Sequence, residues 1–144
     1  MKSRLIVLAF MMLLFSCRED SGFLKNGDHE IAGTWLNVEK GYSPGAGYVT
    51  EEVPENPALT IRLERDLRVS SNMEAFSKFR FYRLSSDSSR IVFYEADPGP
   101  VTPDFSGVQN TYGIEWAGSM LKLSYRGCIE GCHLGFRYLA KPAN

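Results

Sequence analysis

The 144-residue sequence is poor in the side chains that most enzymes and nucleic-acid binders rely on. It has two histidines and three cysteines, so a histidine-rich metal or acid–base centre has little to draw on. No Gly-x-Ser-x-Gly and no His-Glu-x-x-His occurs, and Gly45-Ala46-Gly47 lacks a following helix whose N-terminus would hold a phosphate. The formal net charge of −1 leaves no basic excess to neutralise a phosphate backbone, so no nucleic-acid partner is expected. The longest apolar run, Leu5 to Phe15, falls short of the ~20 residues that cross a hydrocarbon core as a helix. Helical periodicity is not sustained anywhere; Asn72 to Phe76 is the one short exception. What remains, 44% hydrophobic and 23% charged residues, is the balance of one ordinary folded domain.

Lys2 and Arg4 precede the apolar run, the charge-then-apolar order of a secretory signal peptide. Leu14-Phe15-Ser16-Cys17 then resembles the lipobox of bacterial lipoproteins, although Phe15 is bulkier than that pattern usually places there. The resemblance implies cleavage after Ser16 and acylation of Cys17, including palmitate-type chains, against a free or disulfide-bonded cysteine behind an ordinary signal peptide. Two or three acyl chains anchor effectively permanently, whereas one binds only marginally. Loss of residues 1–16 removes Lys2 and Arg4 and no acid, leaving 14 basic against 17 acidic side chains and a net charge of −3. Arg18-Glu19-Asp20 resembles the acidic export signal after the lipid cysteine in Bacteroidota lipoproteins. The expected address is therefore the cell envelope, as an outer-membrane lipoprotein facing the periplasm or the surface. Residues 17–29 read as a flexible tether and 30–141 as the folded domain.

With Cys17 lipidated, Cys128 and Cys132 remain, an even number in an exported chain. In an extended strand their Cα atoms would stand ~13 Å apart, and a disulfide needs less than ~7 Å. The segment must turn back, with Gly131 in the left-handed position of a hairpin loop. Such a small ring is worth only ~2 kcal/mol. Cys128-x-x-x-Cys132-His133 is one residue too long for covalent haem attachment, and a metal clip on these three residues lacks an evident fourth ligand.

From Ile31 onward short alternating segments follow one another. Leu59, Ile61 and Leu63 share a face, as do Tyr112, Ile114 and Trp116, then Leu121, Leu123 and Tyr125, then Leu134, Phe136 and Tyr138. Phe79 and Phe81 are read as one face against Arg80 and Tyr82, and Ser85 to Ser89 as a polar turn. Six of the seven prolines fall within Gly41–Pro57 and Ala96–Gly107, which are read as loops rather than ladder strands. Many short antiparallel strands of even spacing predict a sandwich or a barrel, and closure hides the edges.

Gly33-Thr34-Trp35 opens the folded region and resembles the Gly-x-Trp signature of lipocalins. Together with Tyr42-Ser43-Pro44-Gly45, Thr111-Tyr112-Gly113-Ile114 and Cys128-Ile129-Glu130-Gly131-Cys132, the chain is similar to the small lipocalin-like lipoproteins of the Bacteroidota. The resemblance covers most of residues 30–140. It implies an all-β fold, an antiparallel up-and-down barrel of about eight strands, in which Gly33, Trp35 and an arginine, with Arg137 as candidate, form the structural signature. The usual Asp-Gly turn is replaced by Arg65-Asp66-Leu67.

The expected function is non-enzymatic, with no cofactor and no metal. Glu51, Glu52, Glu55, Asp97 and Asp104 would suit calcium only if their loops met, and otherwise read as solvated carboxylates. Most aromatics are core, but in a wide barrel Tyr42, Tyr48, Phe79, Phe81, Phe93 and Tyr112 would line a pocket for a small apolar ligand in the mouth. The alternative is a solid barrel whose loops dock another envelope protein or a glycan. Partners then are the membrane, through the N-terminal lipid, and one of these ligands.

Overall fold

The computed structural model describes residues 25–26, 29–45, 47–100, 102–103, 105–106, 109–128 and 131–142. The lipobox and Cys17 lie outside the described residues. The strands are β1 (Lys25–Asn26), β2 (His29–Glu30), β3 (Gly33–Tyr42), β4 (Val49–Glu52), β5 (Thr60–Leu63), β6 (Val69–Ser71), β7 (Phe81–Leu84), β8 (Arg90–Tyr94), β9 (Thr111–Ala117), β10 (Met120–Tyr125) and β11 (His133–Ala140). No helix forms among the described residues.

The sheet order β6-β5-β3-β11-β10-β9-β8-β7 is a meander in which every ladder is antiparallel. Its two outer strands meet at an Arg68–Phe81 bridge, supported by Val69 N–H to Arg80 O and Tyr82 N–H to Leu67 O, each 2.9 Å. The sheet thus closes almost completely into a lipocalin-like, eight-stranded up-and-down barrel, which removes the exposed edges that an open sheet would carry. β1 and β2 form a separate two-residue ladder across the boundary read between tether and domain.

Alternation decides which side chains enter. Ile61, Leu63, Ile91, Phe93, Ile114, Leu121, Leu123 and Phe136 are all buried in one cluster with Trp35. Burial of each such side chain is worth roughly 1.5–3 kcal/mol. At one barrel end Trp35 donates its indole N–H to Ile31 O at 2.9 Å and packs edge-on against Tyr138, with ring centroids 4.9 Å apart. Gly33 makes this possible. A Cβ there would lie 2.5 Å from the Tyr138 ring, and its φ of +154° strains any other residue.

Three expectations need correction. Tyr82, not Phe81, is the inward residue of β7: it is fully buried and donates to Glu64 O at 2.7 Å, while Phe81 is half-buried beside it on the other face. Phe79 belongs to the turn-rich crossover ahead of the strand, so counting alternation from it sets the register one residue off. Arg137 does not pack on Trp35. It pairs with Leu36 in the ladder and reaches Glu55 at 2.6 Å, because Tyr138 is the residue opposite Trp35 and a neighbour in a strand points to the other face. Finally, Val49–Glu52 within the proline-rich Gly41–Pro57 segment is a ladder strand, β4, paired with the far half of β3. The prolines flank it and leave its donors intact.

Candidate functional site

The ends of β3, β6, β8 and β10 and the starts of β4, β9 and β11 lie at the barrel end away from Trp35, so this end is the mouth. The 72–80 crossover makes successive turns through Phe76 N–H to Met73 O and Phe79 N–H to Phe76 O. It inserts Met73, Phe76 and Phe79 into the barrel, where Phe76 meets Phe93 at 5.1 Å and Tyr112 at 5.4 Å. The interior below the mouth is therefore filled.

Among the openings that remain, the most apolar is a cavity of about 260 Å³ bounded by Tyr42, Tyr112, Leu123, Tyr125 and Leu134, with Lys40 and the start of β11 at its edge. Its walls are almost wholly apolar. A bulge in β3 aims Tyr42 inward: Gly135 pairs with Glu39 but Phe136 with Asn37, so Val38 is the extra residue and the facing of the strand reverses beyond it. Asn37 holds the bulge by donating to Glu39 O and Gly135 O, both at 3.0 Å. Tyr42 in turn donates to Glu51, which also pairs with Lys40 at 3.0 Å. The hydroxyl and ammonium hold the Glu51 carboxyl below its usual range, the Tyr42 bond contributing most. Burial raises the Tyr112 hydroxyl above the ordinary tyrosine range.

Cys128 and Cys132 bring their sulfurs to disulfide distance, with Cα atoms 5.7 Å apart. Tyr125 N–H to Cys132 O, at 2.9 Å, begins the hairpin and Gly131 takes the left-handed position at φ +83°. The loop tip, residues 129–130, lies outside the described residues. Cys132, at the base of the hairpin, borders the cavity.

Of the six aromatics expected to line a pocket, Tyr42 and Tyr112 do so together. Phe79 and Phe93 are buried beneath, Phe81 lies half-buried on the outer face, and Tyr48 stacks on His133 outside the barrel, ring centroids 5.7 Å apart. Sequence reasoning placed His133 only beside the disulfide. In the fold its Nδ1 shares a hydrogen bond with the Tyr48 hydroxyl and its Nε2 one with the Glu39 carboxylate at 2.6 Å, with Lys122 completing the chain at 2.9 Å. Lys122 foremost, then His133, holds the Glu39 carboxyl below its usual range. The pattern alone hid this chain: counted from Trp35, Glu39 would face inward, and only the bulge at Val38 turns it outward beside His133 and Lys122.

Among the loop carboxylates, Glu55 pairs with Arg137 and Asp97 with Arg83 at 3.0 Å. No group of three potential metal ligands forms among the described residues, and Asp104 lies outside them. Comparison with protein-family models, curated proteins and solved structures finds no match.

Proposed function

We propose that this is a lipid-anchored, non-enzymatic protein of the bacterial envelope that takes a small apolar ligand in a shallow barrel mouth. The apolar cavity of about 260 Å³ above a filled interior carries this reading. It lies just below the ~300 Å³ at which sites for drug-sized ligands begin, so the ligand is a short chain or a single ring. Tyr42 and Tyr112 supply aromatic walls, and the Tyr42 hydroxyl is turned to Glu51. The Leu14-Phe15-Ser16-Cys17 segment supports the anchor, with Cys17 as the acylated first residue.

The test is displacement of a dansyl-labelled fatty acid from the full chain in detergent by straight-chain acids of increasing length. Affinity should rise by about 0.8 kcal/mol for each methylene buried and then level off early, once the mouth is full. Leu134→Phe should abolish binding. Absence of saturable displacement, or affinity that climbs through the longest chains, overturns the reading. A second reading, a solid barrel docking another envelope protein or a glycan through its loops, is favoured by the packed Phe76, Phe79 and Phe93 layer. Under it, Leu134→Phe leaves the function unchanged.

A further inference from the structure

The outer wall of the barrel carries a second recess, of about 430 Å³, lined by Tyr48, Glu115, Lys122, Ser124, Tyr125 and His133. It borders the mouth cavity through Tyr125, Cys132 and His133, whereas Tyr48, Glu115, Lys122 and Ser124 line the recess and not that cavity. Two glycines make room for its edges. Gly41 stands opposite His133 in the β3–β11 ladder, and a Cβ there would collide with both the imidazole and the Tyr48 hydroxyl. At Gly127 a Cβ would fall 2.6 Å from the Tyr125 ring. Tyr48 is 52% exposed, yet it is held in place by stacking on a buried imidazole that is itself bonded to Glu39, which Lys122 also holds. Tyr125, 40% exposed, forms the other edge. Exposed aromatic rings held by buried polar groups are preorganised surfaces.

The floor between them mixes donors and acceptors. Glu115 stands opposite Lys122 in the ladder, but the ammonium pairs with Glu39 instead. Among the described residues the Glu115 carboxylate receives only the Ser124 hydroxyl, at 3.4 Å. Among the described residues Lys122 pairs with Glu39 alone, which leaves two of its three N–H groups for a ligand. A net anion entering here meets Glu115, and a net cation meets Lys122. A hydroxyl both donates and accepts, so adjacent hydroxyls on one ring satisfy the ammonium and the carboxylate together. The apolar C–H face of such a ring suits the tyrosine faces. We propose that this recess is a binding cleft for a neutral saccharide unit.

The test is calorimetric titration of the full chain in detergent with maltose, cellobiose and N-acetylchitobiose, alongside glucosamine and glucuronic acid as charged counterparts. At least one neutral disaccharide should saturate at millimolar concentration. Glu115→Gln and Tyr48→Ala should each weaken it at least tenfold, whereas Tyr48→Phe, which keeps the ring, should retain most of the affinity. Leu134→Phe in the mouth should leave it unchanged. Glu115 is exposed, so Glu115→Gln keeps the barrel, verified by its circular dichroism. Saturation by none of the neutral sugars, binding of the charged sugars alone, or undiminished affinity in Glu115→Gln each overturns the proposal.

Discussion

Trp35 illustrates how much a single position depends on its neighbours. Its burial follows from alternation, but its geometry depends on the missing side chain at Gly33, over which the Tyr138 ring lies. Gly33→Ala places a Cβ 2.5 Å from Tyr138 and 3.0 Å from Ala140 O. The expected cost is about 1–3 kcal/mol, the range for overpacking, read as a lowered denaturant midpoint. Glu39 supplies a pH dependence. Its carboxyl is held below the usual range in the fold, by Lys122 first and His133 second. A depressed folded value means the contribution is present above the unfolded carboxylate range near pH 4.5 and is lost as pH falls through the lower folded value. Thermal melts should therefore show stability falling below about pH 4.5, with a flatter slope in Glu39→Gln; identical slopes would remove Glu39 from the account. Gly33 and Trp35 were legible in the sequence as a signature. The Glu39–His133 pair was not, because its members lie 94 residues apart and only the β3–β11 ladder joins them.

At the level of elements, the hairpins followed from pattern and turn chemistry. β5, β9, β10 and β11 sit where period-two alternation and the Gly118 and Gly131 turns place them. Two elements escaped that reasoning. β3 changes its edge partner from β5 to β4 halfway along, and a bulge does not announce itself in a run of alternating residues. The 72–80 crossover carries three large apolar side chains without a strand or helix to bear them, so no periodicity marks its destination. Phe76 is the center of that plug. Phe76→Ala should cost about 3–5 kcal/mol, as other buried Phe truncations do, in a denaturant melt. It should also deepen the mouth, so that longer acyl chains displace the dansyl probe better than they do from the parent protein. Lost stability with unchanged chain-length preference would mean that the interior collapses rather than opens.

At the scale of the whole molecule, the proposed reading joins a packed barrel to an N-terminal address. In the proposed reading the anchor resides in Cys17 alone, because a permanent hold on the membrane needs more than one acyl chain and the eleven-residue apolar run is too short to span. Cys17→Ser should move the protein from the membrane fraction to the soluble one, read by fractionation and loss of radiolabelled palmitate; retention in the membrane would sink the anchor. The sequence by itself determined the fold class, since a period of two in apolar side chains can be buried on one side only by a sheet, and a sheet without edges must close. It also required a turn between Cys128 and Cys132 if their sulfurs were to meet, and the structure brings them to disulfide distance. Only the tertiary structure decided whether the barrel is hollow, because interior volume depends on where the 72–80 crossover puts its rings. It alone also decided which outward side chains meet, since lateral neighbours in a barrel are set by ladder register between strands distant along the chain.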